Sequence, residues 1–249
     1  MTSFKQFKEV IKAFSYIRKW DNNFYMMSVN WAQILRYHPY LFLGYLVLHK
    51  KKISFFLEVY YKFFKYICLI LKQLLLSFFV LKKKCNKKLL ESEILIISHF
   101  LNKNNLGSKE DFHFRDLPNI LAKDNYSVNI FLHNHTSFSP DSIEQSWNNS
   151  QIPRYVCSNR LNFTEELKIV LRGMNILYYF LFVFKNKDSF INRVRIMSAI
   201  EAISPASLGA ERFSRQLEKF VNRTNPKFII FTFEGHSWER LVINKIKNL

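Results

Sequence analysis

The spacing of apolar and polar residues changes about a third of the way along the chain. Over the first 90 residues, apolar side chains recur at helical intervals. The stretch "SFKQFKEVIKAFSYIRKW" puts Phe4, Phe7, Val10, Ile11, Phe14 and Ile17 on one helical face, after a cap at Ser3. A second helix is expected over 28–49. The third, Ile53 to Leu81, contains neither Gly nor Pro. At 100° per residue, Ser54, Glu58, Lys62, Lys65 and Lys72 gather in a stripe roughly 80° wide on an otherwise apolar surface. Lysine runs flank it on both sides.

Three placements compete for this third helix. A membrane span needs about 20 nearly uncharged residues, and Lys62, Lys65 and Lys72 interrupt every such window. A helix lying in the membrane interface fits the pattern better, with its lysines among anionic headgroups. So does a helix packed on the rest of the protein with its polar stripe solvated.

From Glu91 the texture differs. Short continuous apolar runs, "EILIISHF" (93–100), "SVNIFLHNHT" (127–136), "PRYVCSN" (153–159) and "KFIIFTFEG" (227–235), alternate with helical stretches near 114–124, 163–185 and 190–223. That alternation predicts an α/β fold: an open parallel sheet of Rossmann type, covered on both faces. Two consecutive blocks follow, a helical basic segment over 1–90 and a Rossmann-like domain over 91–249. The "KKKCNKK" run at 82–88 is the expected boundary.

Each predicted strand ends in polar chemistry: Ser98 and His99; His133, Asn134 and His135; Ser158 and Asn159; and Glu234 to Glu239. Open parallel sheets bind ligands outside the carboxyl ends of their strands. A shared cleft at those ends is therefore expected.

Charge adds a second contrast. Residues 1–90 hold 17 of the 37 Lys and Arg but only three of the 19 Asp and Glu. Such asymmetry points to an anionic partner, membrane or nucleic acid. The lysines interleave with long aliphatic runs, unlike a nucleic-acid arm, so an anionic membrane surface at 53–81 is expected and nucleic acid is not. Three scattered cysteines, Cys68, Cys85 and Cys157, read as reduced thiols. The first residues lack the apolar core and cleavage site of a signal peptide. A cytoplasmic protein, peripheral at the inner face of the cell membrane, is expected.

Motifs narrow the chemistry. No G-x-G-x-x-G, Walker loop or G-x-S-x-G occurs. "FLHNHTSFSPDS" superficially resembles the first motif of the polymerase-and-histidinol-phosphatase hydrolases. His133 and His135, two apart on a strand, point the same way and could share a metal. After His135 the chain has one further histidine, His236. No metal is expected, and a hydrolase using His133, His135 and His236 is kept as the rival reading. In "FTFEGHSWERLV" the strand turns at Gly235 into a helix capped by Ser237. A strand, a glycine turn and a helix start form an anion-binding corner. Glu234 suits a general base or hydroxyl binding, and Trp238 suits stacking on a sugar or base. Glu239 fits either the positive helix start or the site.

"FTFEGHSWERLVINKIK" resembles the Glu-Gly-x-x-Trp-Glu segment of bacterial surface-carbohydrate biosynthesis proteins, glycosyltransferase-like enzymes of GT-B fold encoded in O-antigen and capsule loci. "ILIISHFLNKNN" through "NIFLHNH", and "PRYVCSNRLNFTEELKIVLRG", resemble that family's first βαβ unit and its next strand and helix. The likeness covers about 91–245. It implies sugar transfer from a nucleotide-sugar donor to a surface polysaccharide or lipid-linked glycan, with no cofactor. Glu234, His236 and Glu239 would be catalytic. Ser98, His99, Asn134, His135, Gly235, Trp238 and Arg240 would bind substrate. Family members continue into a second Rossmann domain, so this chain corresponds to the N-terminal half. Against that resemblance, the chain is expected to be a shortened or split product or to take its second domain from a partner chain; a non-catalytic scaffold fragment is the rival.

Overall fold

The computed structural model describes residues 51–80, 91–183, 189–233 and 236–246. The two helices expected within 1–50, the boundary run at 82–88, Cys85, Glu234 and Gly235 lie outside the described residues.

In chain order the elements are α1 (Lys52–Ser77), β1 (Ile94–Phe100), a short 3-10 turn (Lys103–Asn105), α2 (Leu117–Lys123), β2 (Val128–Asn134), α3 (Pro140–Gln145), β3 (Arg154–Val156), α4 (Phe163–Phe182), α5 (Ser189–Glu201), α6 (Pro205–Thr224), β4 (Phe228–Phe231) and α7 (Ser237–Ile246). Local chemistry sets many of these limits. The side chains of Asn102, Ser139 and Asn162 cap the helical turns that follow them. One helix is expected over 190–223, but two are found. Ser204 Oγ accepts the amide of Ser207, and Pro205 takes the first position of α6. That cap and that proline start a new helix although the apolar pattern runs on.

Compact units are drawn from separate stretches of chain rather than from the blocks 1–90 and 91–249. One unit contains the sheet with α2, α3 and α6 from Phe213 onward. The other contains α1, α4, α5, α6 up to Arg212, and α7 up to Asn244.

The sheet is parallel throughout, with strand order β3-β2-β1-β4. β1 and β2 pair over their full length, from Ile94 opposite Val128 to Phe100 opposite Asn134. Both strands are buried on both faces, as their unbroken apolar runs require. One face presents Ile94, Ile96, Phe100, Ile130 and Leu132 to Ile143, Ile152 and Trp147. On the other, Phe131 meets Phe213 and Phe220, so the second half of α6 covers it.

The helical unit has an apolar centre in which Phe55, Val59 and Ile70 of α1 join Ile169, Phe180, Met197 and Ile203. The inward stripe of α1 also carries polar groups. Lys62 Nζ and Tyr66 Oη both donate to Glu201 Oε1 at 3.0 Å. Gln73 donates to Glu166, which Arg212 holds through two 2.7 Å bonds. Lys62 is therefore not on a simply solvated stripe; Lys65 and Lys72 are exposed. The opposite face of α1 exposes Ile53, Leu57, Tyr60, Tyr61, Phe64, Leu71 and Leu75. On α4, Leu171, Tyr178 and Phe182 are exposed as well. Among the described residues, no helix is long and apolar enough to cross a membrane.

Candidate functional site

The ladder between β1 and β2 decides which polar residues meet. Residues opposite one another in a ladder project to the same face. His99 stands opposite His133 near the carboxyl end, and His135 lies two residues beyond His133 on that face. The chain is held there by the amide of His135, which donates to the carbonyl of Phe100 at 3.0 Å.

The result is a group of three imidazoles whose ligating nitrogens all lie within 4.8 Å of one another. Nδ1 of His99 is 2.8 Å from Nε2 of His135, a hydrogen bond in which one ring donates and the other accepts. The rings of His133 and His135 are 4.3 Å apart. His133 stacks on Phe213 at 4.2 Å and 26°, which fixes its plane. His99 and His133 are half-buried and His135 is exposed, so the group opens to solvent on one side.

A fourth imidazole stands behind the first. His113 meets His99 edge-on, with centroids 4.9 Å apart. Asp111 holds it there. One oxygen of this buried carboxylate accepts the hydroxyl of Ser98 at 2.7 Å and the amides of His113 and Phe114 at 2.9 Å. The turn is closed by reciprocal backbone bonds between Asp111 and Arg115, with Arg115 at φ 52°. Asp111 and His113 escape a strand-end reading because they sit in the loop. The signal for them is "DFHFRD", an Asp whose carboxylate can reach the amides two and three residues on.

Two strand-end residues expected to bind substrate have structural duties. Ser98 is fully buried, with its hydroxyl given to Asp111. Asn134 is buried and shapes the following loop: its Oδ1 accepts the amide and hydroxyl of Thr136, and its Nδ2 donates to Phe138. Ser158 is tied through its backbone to the amide side chain of Gln216, and Asn159 donates to the carbonyl of Thr136. Nearby, Arg154 lies over the Trp147 ring at 4.9 Å. Burial lowers its guanidinium pKa from the ordinary value, and the charge of Asp111 works against that shift.

The segment 236–240 belongs to the helical unit. His236 precedes α7, and its amide donates to Glu239 Oε2 at 2.9 Å. Reaching back from the first turn to that amide is one half of a capping box. Glu239 is fully buried and Trp238 nearly so, while His236 and Arg240 are half-buried. The helix-stabilising role of Glu239 is therefore the one its hydrogen bond displays. Glu234 and Gly235 lie outside the described residues.

The fold and this edge define an α/β protein with an open parallel sheet, Rossmann-like in strand order, carrying an imidazole group where such sheets bind ligands. No family model, curated protein or solved structure matches the chain.

Proposed function

We propose that the chain is the N-terminal half of a GT-B-type glycosyltransferase, moving a sugar from a nucleotide-sugar donor to a cell-surface or lipid-linked glycan. One observation carries the reading: polar side chains from neighbouring parallel strands, His99, His133 and His135, converge at the carboxyl edge of the sheet, the place where open α/β sheets hold ligands. The Glu-Gly-x-x-Trp-Glu resemblance at Glu234–Glu239 supplies the reaction class. In this reading Glu234 and His236 carry the chemistry, His99 and His135 contact substrate, and Glu239 orders the start of α7.

The apolar outer faces of α1 and α4 support peripheral contact with an anionic membrane, where a lipid-linked acceptor resides. The test is donor consumption from a panel of uridine, guanosine, cytidine and adenosine diphospho- or monophospho-sugars. It is run on the full chain, alone and with a supplied second domain. Turnover lost in Glu234→Gln and His135→Ala supports the proposal. No donor binding or turnover in any combination sinks it.

A second reading, a metal-dependent hydrolase, gains from one finding. His99 joins His133 and His135, so the ligand set no longer requires His236. Metal-stimulated hydrolysis of phosphate esters without donor consumption would favour it.

A further inference from the structure

We infer that His99, His133 and His135 form a binding site for a borderline divalent transition cation, zinc foremost. The inference stands whether or not the chain transfers sugars, because it rests on the ladder and the rings alone. Three imidazoles present one ligating nitrogen each, all within 4.8 Å of one another. Two are anchored by β-ladder pairing, and His133 is further fixed against Phe213. Preorganisation of this kind removes much of the ordering that a flexible surface histidine cluster would have to undergo.

The rival explanation is a polar strand edge whose histidines are brought together by the ladder and by the His99–His135 hydrogen bond. The ladder sets the spacing of the rings, with the centroid of His133 4.3 Å from His135 and 5.6 Å from His99. A shared cation would use all three rings, and metal binding separates the two explanations. Zinc–nitrogen bonds of about 2.0–2.1 Å with tetrahedral angles place ligand nitrogens about 3.3–3.4 Å apart. The 2.8 Å between His99 and His135 must therefore widen by about half an ångström on loading. His135 is exposed and one residue past the strand, so its side chain makes that adjustment on loading.

Ligand type sets the cation class. The group is nitrogen only, with neither carboxylate nor thiolate among its three members. Magnesium and calcium require oxygen ligands, whereas imidazole suits zinc, copper, nickel and cobalt. Three protein ligands leave a fourth position for water or a substrate oxygen on the solvent side. His113, edge-on to His99, is a positioning residue, and Asp111 fixes it through its peptide amide.

The experiment uses the full chain carrying Cys68→Ser, because Cys68 is an exposed thiol that could bind metal itself. Chelator-stripped protein is titrated with zinc chloride alone, and then with cobalt chloride for its visible spectrum. One equivalent of zinc should bind, magnesium should not compete, and cobalt should show a low-symmetry nitrogen and oxygen spectrum without thiolate charge transfer. His135→Ala, at an exposed position, keeps its far-ultraviolet dichroism and loses about tenfold or more in zinc affinity. His99→Ala, measured the same way, provides the second variant. Wild-type protein that fails to retain stoichiometric zinc, or a His135→Ala variant that binds zinc as the parent does, overturns the inference.

Discussion

Arg212 grips Glu166 with two guanidinium nitrogens, Nε on Oε1 and Nη2 on Oε2, each at 2.7 Å. The carboxylate is fully buried and also accepts the amide of Leu161 at 2.8 Å. Removing one partner of such a pair leaves a buried charge uncompensated, at a cost of about 3–5 kcal/mol. Arg212→Ala should lower unfolding stability by that amount in chemical denaturation. Glu166→Gln retains an acceptor for Leu161 and should lose less. An Arg212→Ala protein as stable as its parent would show that the pair contributes little.

Asp111 gathers a hydroxyl and two amides on one carboxylate oxygen. Asp111→Ala strands the fully buried Ser98 hydroxyl, and each unsatisfied buried donor costs about 1–3 kcal/mol. The double variant Ser98→Ala/Asp111→Ala should therefore be less destabilised than the two single losses added together. Additive losses in a double-mutant cycle would mean that the two side chains are not coupled.

The outward face of α1 is large and apolar: Leu57, Tyr61 and Phe64 are 65%, 65% and 64% exposed. An apolar surface of this kind is what a membrane- or partner-binding face requires. Wild-type protein should float with vesicles containing anionic phospholipid, and Leu57→Ser/Tyr61→Ser/Phe64→Ser should stay at the bottom of the gradient. Equal flotation of both proteins would remove this face from the membrane account.

Lys227 Nζ lies 2.7 Å from Glu93 Oε1, tying the starts of β4 and β1 together. Hydrogen bonding to Lys227, then its charge, lowers the Glu93 pKa, and Glu93 in turn raises that of Lys227. The carboxylate's contribution is present above its ordinary range and fades as pH falls through the lowered folded value. The lysine's contribution is present below its ordinary range and fades as pH rises through the raised value. The difference in Tm between wild type and Lys227→Met should thus be largest between those limits. It should shrink on acidification, and also with added salt, because both groups are exposed. A gap that persists in acid would locate the effect elsewhere.

Much of the sheet was legible in the chain itself. The runs at 93–100 and 127–136 are apolar without alternation, and only a strand covered on both faces needs that pattern. The imidazole group was half legible. His133 and His135 share a face by period alone, but His99 joins them only through a ladder register that no local pattern encodes. The inward side of α1 was missed for a related reason. Lys62 reads as part of a solvated stripe until Glu201, 139 residues away, is known to meet it. Glu239 shows the reverse case. The helix-start role that its position allowed is displayed by its local hydrogen bond to the His236 amide.

Because His99 and His133 are ladder partners, correct strand alignment and a complete set of rings arise in the same folding event. A slip of one residue between β1 and β2 would turn His133 and His135 toward the face lined by Ile96, Phe100 and Ile143, burying two imidazoles in apolar surroundings. Misaligned chains would thus be penalised twice, through lost packing and through stranded polar rings, so the histidines act as a built-in check on how the two strands come together.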